Sequence, residues 1–163
     1  MKKRTWSFVL AVCMMMAMAG SAFAAEAQEY PVDIHVMTIE ERNELFYQSG
    51  REPAVGTAYL SRNNESGTNG AVCAPFTADR TGMAFVLTSA PGAENYNVQL
   101  YVGEIGNGER VSDYATAEVN NGVYFTGLEI GESYYFKISS STLVTSGCTA
   151  VYEMLAFDAP AQN

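Results

Sequence analysis

Hydrophobic and polar residues alternate along most of this chain with the two-residue period of β-strands, and turn residues interrupt the alternation at short intervals. Ala71 to Thr77 is followed by Ala78-Asp79-Arg80-Thr81-Gly82, after which Met83, Phe85 and Leu87 alternate up to Pro91-Gly92. Tyr96, Val98 and Leu100 share the next face, which ends at Gly103 and the turn Gly106-Asn107-Gly108. Val111 to Val119 reads as a weaker edge strand, and Asn120-Asn121-Gly122 is a strong turn signal. Two strands span Gly122 to Ile138, a polar loop covers Ser139 to Ser141, and a last strand runs from about Cys148 to Phe157. Seven strands at this spacing predict an all-β, two-sheet sandwich over residues 71–163, with the alternating apolar residues as its core.

Upstream, residues 25–70 exceed what such a sandwich uses. Tyr30 to Met37, with Val32, Ile34 and Val36 alternating, predicts a strand that turns His35 outward. Thr38 followed by Glu41 is a capping-box spacing, so Ile39 to Tyr47 is expected to be a short helix. Val55 to Leu60 predicts another strand, and Arg62 to Gly70 a polar loop. The segment either adds strands to the sandwich edge, the favoured reading, or forms an arm that docks elsewhere. An exposed edge strand would also offer a site for pairing with a second chain.

The run Gly122-Val-Tyr-Phe-Thr-Gly-Leu-Glu-Ile-Gly-Glu-Ser-Tyr-Tyr-Phe-Lys-Ile138 describes a tyrosine corner. Leu128 closes one strand, Gly131 allows the turn, and Tyr134 opens the next strand with its ring inward and its hydroxyl available to the chain behind it. On Leu128, Gly131, Tyr134, Phe136 and Ile138 the stretch resembles the E–F corner of fibronectin type III domains. Tyr96-Asn97-Val98-Gln99-Leu100 resembles that family's strand C, and Phe85 to Pro91 the end of its strand B. Leu87 stands nearest the place of the family's strand-B tryptophan, and Ile130 replaces the corner proline. The resemblance covers about residues 71–157 and implies an immunoglobulin-like Greek-key sandwich with sheets ABE and C′CFG. It carries no activity, because such domains serve spacing, adhesion and receptor binding.

The first 24 residues change the setting. Lys2, Lys3 and Arg4 precede an apolar run from Thr5 to Ala19, and Ala22-Phe23-Ala24 offers a signal-peptidase site, so cleavage after Ala24 is expected rather than retention as an anchor. Cys13 lies within that apolar run, which continues through Met14 to Ala19 where a lipoprotein signal would turn polar. The product would be secreted, periplasmic or held at the cell surface, with no membrane span after cleavage. Loss of three basic residues shifts the formal charge from −9 to −12, which disfavours nucleic acid and anionic lipid as partners. The only tryptophan, Trp6, leaves with the signal, and all ten tyrosines stay.

Chemistry is sparse. Two cysteines, Cys73 and Cys148, remain in an oxidising compartment, and one disulfide is the natural expectation. In the chain-entropy picture a loop of about 75 residues closed in this way stabilises by roughly 4–5 kcal/mol. No spacing calls for a metal or a cofactor. His35, the only histidine, belongs to no recognised nucleophile motif. Asn63-Asn64-Glu65-Ser66-Gly67 lacks the aspartates of an EF-hand loop, and Asn64-Glu65-Ser66 is a formal glycosylation sequon with no expected role in a bacterial-type export context.

These features favour an exported, non-catalytic binding or adhesion module whose ligand is a protein or a cell-surface glycan. Tyr101, Tyr114, Tyr124 and Tyr135 are its candidate outward-facing recognition residues. A secreted inhibitor or an accessory subunit of a surface assembly is the second class. A small hydrolase built on a carboxylate pair is the third.

Overall fold

In the computed structural model, residues 29–62 and 70–160 are described; the expected signal segment and the sequon fall outside them. The strands are β1 (Asp33–Met37), β2 (Ala54–Ser61), β3 (Ala71–Val72), β4 (Phe76–Thr77), β5 (Gly82–Ser89), β6 (Asn95–Val102), β7 (Glu109–Arg110), β8 (Ala115–Glu118), β9 (Gly122–Thr126), β10 (Ser133–Ser139) and β11 (Gly147–Phe157). Among the described residues one helix, α1 (Ile39–Ser49), lies between β1 and β2. One sheet has the order β1-β9-β5-β11-β2. In the other, β10 and β6 form the centre, flanked by β3 and β4 beside β10 and by β7 and β8 beside β6. Every pairing within these sheets is antiparallel.

The inner faces of the two sheets meet on the alternating residues. Phe85 and Leu87 of β5, Tyr96, Val98 and Leu100 of β6, Phe125 of β9, and Phe136 and Ile138 of β10 are all almost fully buried. Phe136 lies at the centre, with ring centroids 4.8 Å from Phe85, 5.1 Å from Phe125 and 5.4 Å from Phe76. Offset and tilted ring contacts of this kind add to the stabilisation from area burial. Tyr152 of β11 joins the cluster against Phe85 while its hydroxyl accepts the backbone N–H of Ala74 at 2.9 Å, so its polar tip is satisfied.

Residues upstream of the sandwich supply both borders of one sheet. β1 pairs with β9 at one edge and β2 pairs with β11 at the other, and helix α1 crosses the outer face between them. Eleven helical residues span ~16 Å at 1.5 Å each, close to the ~19 Å between the outermost of five strands. Thr38 and Glu41 form the expected capping box, with bonds of 2.8 and 3.2 Å, and Gly50 closes the helix in the left-handed conformation. Leu45 and Phe46 pack on a second, smaller cluster of Met37, Ala84 and Leu155 on that outer face. β5 and β11 are therefore covered on both sides, which explains why Phe85 and Ala84, or Met154 and Leu155, are consecutive buried residues.

The strand order departs from the ABE and C′CFG sheets implied by the resemblance. The last strand, β11, does not pair with β10; it enters the opposite sheet between β5 and β2, and β3 and β4 border β10 instead. Hydroxyl groups hold the connection between β10 and β11. The Thr142 hydroxyl accepts the N–H groups of Glu94 and Asn95 at 3.0 and 3.1 Å, and Ser140 donates to the Asn95 carbonyl at 2.7 Å. They tie the chain leaving β10 to the start of β6.

Candidate functional site

The outer face of the five-stranded sheet carries a row of rings. His35 lies opposite Tyr124 in the β1–β9 register, and their rings stack at 4.8 Å and 30°. Phe157, at the end of β11, meets Tyr124 edge-on at 5.8 Å and 85°. Gly82 makes this possible: it stands opposite Phe157, and a Cβ on it would lie 2.6 Å from that ring.

Helix α1 forms the opposite wall. A cavity of about 540 Å³ separates its Glu41 and Leu45 from His35, Tyr124 and Asp158. A second cavity of about 430 Å³ shares Leu45, Gln48, Phe157 and Asp158 with the first and continues to Arg51 and Arg80. Together they make one groove along the helix, within the size range of small-ligand sites. Arg42 anchors the wall by donating to the Asn120 carbonyl at 2.8 Å, in the turn between β8 and β9.

Charge is arranged along the length of this groove. At the His35 end, Glu41 accepts the Thr38 N–H, which holds its carboxyl below the usual carboxylate range. At the far end Arg51 meets Asp79 at 2.6 Å and Arg80 meets Asp158 at 3.3 Å. The hydrogen bond from Arg51 holds the Asp79 carboxyl below its ordinary value. The groove thus offers a ring-lined floor with the Glu41 carboxylate at one end and ion pairs at the other. Among the described residues no group of three or more His, Cys, Asp or Glu is placed to hold a metal ion.

The four candidate tyrosines do not form one surface. Tyr101 and Tyr135 are cross-strand neighbours on the other sheet, stacked at 5.3 Å and 18°, and both are buried. Gly108, in the loop before β7, abuts the Tyr135 ring, and Lys137 reaches over Tyr101 at 4.2 Å. These contacts remove both rings from solvent although they point away from the core, so neither serves as an open recognition residue. Tyr114 is exposed, and Tyr124 is half-buried in the groove. Leu45, Gln48, Phe157 and Asp158 were not among the sequence candidates; Leu45 fell in the predicted helix and Phe157 at the end of the predicted last strand, but neither element's pattern said which face the helix would cover.

The corner residues sit where the fold turns between sheets. Leu128 is buried, Gly131 has φ +95°, and the Tyr134 hydroxyl accepts the Glu129 N–H at 3.0 Å. The expected Cys73–Cys148 disulfide is not formed. Cys73 is a buried free thiol beside β3, and Cys148 is a half-buried free thiol on β11. Each packs with the main core as a small apolar side chain, which accounts for their burial without a covalent bond. Compared with known proteins, the chain matches no family model and no curated protein sequence.

Proposed function

We propose that this chain is an exported, non-catalytic binding module and that the groove beneath helix α1 is its ligand site. The observation that carries this reading is the pair of adjoining cavities floored by His35, Tyr124 and Phe157 and walled by Leu45 and Gln48. The sandwich and its corner support a scaffold role of the immunoglobulin-like kind, with the helix as the element that creates the concavity. A protein segment is the favoured ligand. Tyr124 already carries His35 on its ring and Phe157 at its edge, which suits an inserted apolar side chain better than a flat sugar ring. The chain's acidity favours a partner with a basic surface.

The test is retention of envelope or culture proteins on the immobilised chain, compared with two variants. Gln48→Trp adds a large ring at an exposed helix position on the groove wall. Tyr114→Ala changes an exposed ring elsewhere. The expected result is a retained partner lost with Gln48→Trp and kept with Tyr114→Ala. Equal retention by both variants removes the groove from the account.

A further inference from the structure

We infer that strand β2 is a self-association edge, through which two copies of this chain join their five-stranded sheets into one ten-stranded sheet. β2 ends its sheet, pairing on one side with β11. It is eight residues long, Ala-Val-Gly-Thr-Ala-Tyr-Leu-Ser, with no charged residue and no proline. Long, flat, uncharged edges are the ones that pair with other chains, and soluble proteins usually blunt them with charge, proline or interruption.

The other edges of both sheets are blunted. β1 is five residues long, carries Asp33 and His35, and is preceded by a bridge from Val32 to Ser112. The border beside β10 is broken into β3 and β4, two residues each, and the border beside β6 into β7 and β8, which carry Glu109, Arg110 and Glu118. Only β2, among the described edges, combines length with absence of charge. It also exposes apolar side chains unusual for a monomer's border: Val55 is 66 % and Tyr59 65 % exposed, on the face away from the core.

The occupant is a second copy because β2 is complementary to itself in one register. An antiparallel pair centred on Thr57 places Val55 opposite Tyr59 of the second copy, a β-branched and aromatic pair of the kind that stabilises sheets. The same register sets Gly56 opposite Ala58, small against small, and Thr57 opposite itself. Just beyond the strand it sets Glu52 opposite Arg62, opposite charges at both ends. A shift by one residue loses all of these matches. The two-fold axis then lies perpendicular to the sheet, so both helices lie on one side and both second sheets on the other. Without the first 24 residues each copy would carry −12, so the association should strengthen as added salt screens repulsion between the copies.

Sedimentation velocity on the chain from Ala25 onward over a wide concentration range tests this, with circular dichroism to confirm that each variant is folded. The expected result is a concentration-dependent doubling of mass that Thr57→Lys abolishes, since it sets two ammonium groups face to face at the axis, while Thr57→Val leaves it intact. Register is read separately. Thr57→Cys should form a covalent dimer on mild oxidation, and Val55→Cys, which faces Tyr59, should not. A chain that is monomeric at every concentration, a folded Thr57→Lys variant that still dimerises, or equal cross-linking by both cysteine variants overturns the inference.

Discussion

The phenol oxygen of Tyr134 accepts the backbone N–H of Glu129, five residues earlier, at 3.0 Å, and so locks the passage from β9 in one sheet to β10 in the other. The turn it closes is further held by Gly131 N–H to the Ala78 carbonyl at 2.8 Å and by Ala78 N–H to the Glu132 carbonyl at 2.9 Å. Tyr134→Phe keeps the ring and leaves the Glu129 N–H without its partner. Urea unfolding should show a loss of about 1–2 kcal/mol, the cost of a partly buried orphaned donor. No change in midpoint would mean that the ring alone holds the corner.

Gly131 and Gly82 are glycines for different reasons, and alanine at each should fail differently. Gly131 has φ +95° with open space around it, so Gly131→Ala introduces only backbone strain, about 1–2 kcal/mol. At Gly82 the added methyl collides with Phe157, so the cost there, about 1–3 kcal/mol, belongs to the pair. Combining each with Phe157→Ala separates the two causes. The Gly82 double variant should lose less than the sum of its single effects, and the Gly131 double variant should be additive. Matching additivity in both would show that Phe157 does not rest on Gly82.

The corner and the helix cap were legible in the sequence because both are local: the spacing from Leu128 to Tyr134, and from Thr38 to Glu41, requires no knowledge of the rest of the chain. The inward residues of β5 and β6 were legible for the same reason, since a period of two assigns a face. What lay beyond the sequence was which neighbour each face would meet. Tyr101 and Tyr135 do point away from the core, but the loop carrying Gly108 and the Lys137 side chain cover them. The chain between β10 and β11 is held by Thr142 reaching Glu94 and Asn95, a contact between residues nearly fifty apart in the chain. The groove shares this property, since Phe157 and Leu45 meet only after β11 has entered the sheet that α1 covers.

The two thiols should differ sharply in reactivity. Burial raises the pKa of both, and far more for Cys73, which is almost wholly enclosed. Because the thiolate is the reactive form, iodoacetamide on the native chain should modify Cys148 first and Cys73 only on the timescale of unfolding. In denaturant the two rates should converge. Mass spectrometry of timed samples resolves the sites, and a chain that takes up label only after reduction would restore the disulfide expected from the cysteine count.

Acid should weaken the Arg51–Asp79 tie that joins the end of α1 to the loop before β5. Asp79 has its carboxyl lowered from the ordinary 3.8, first by the hydrogen bond from Arg51, with burial acting in the opposite direction. A group whose pKa is lower when folded stabilises the fold above its unfolded value, and that contribution is lost as pH falls through the folded value. The wild-type chain should therefore exceed Asp79→Asn in thermal midpoint at neutral pH, and the gap should close below about pH 4. Both partners are well exposed, so the gap is small and should shrink in high salt. The same tie borders the groove through Arg51, so Asp79→Asn should also release that end of the wall and weaken retention of a groove ligand at neutral pH. Equal midpoints for the two proteins from neutral pH down to pH 3 would show that the ion pair contributes nothing to the fold.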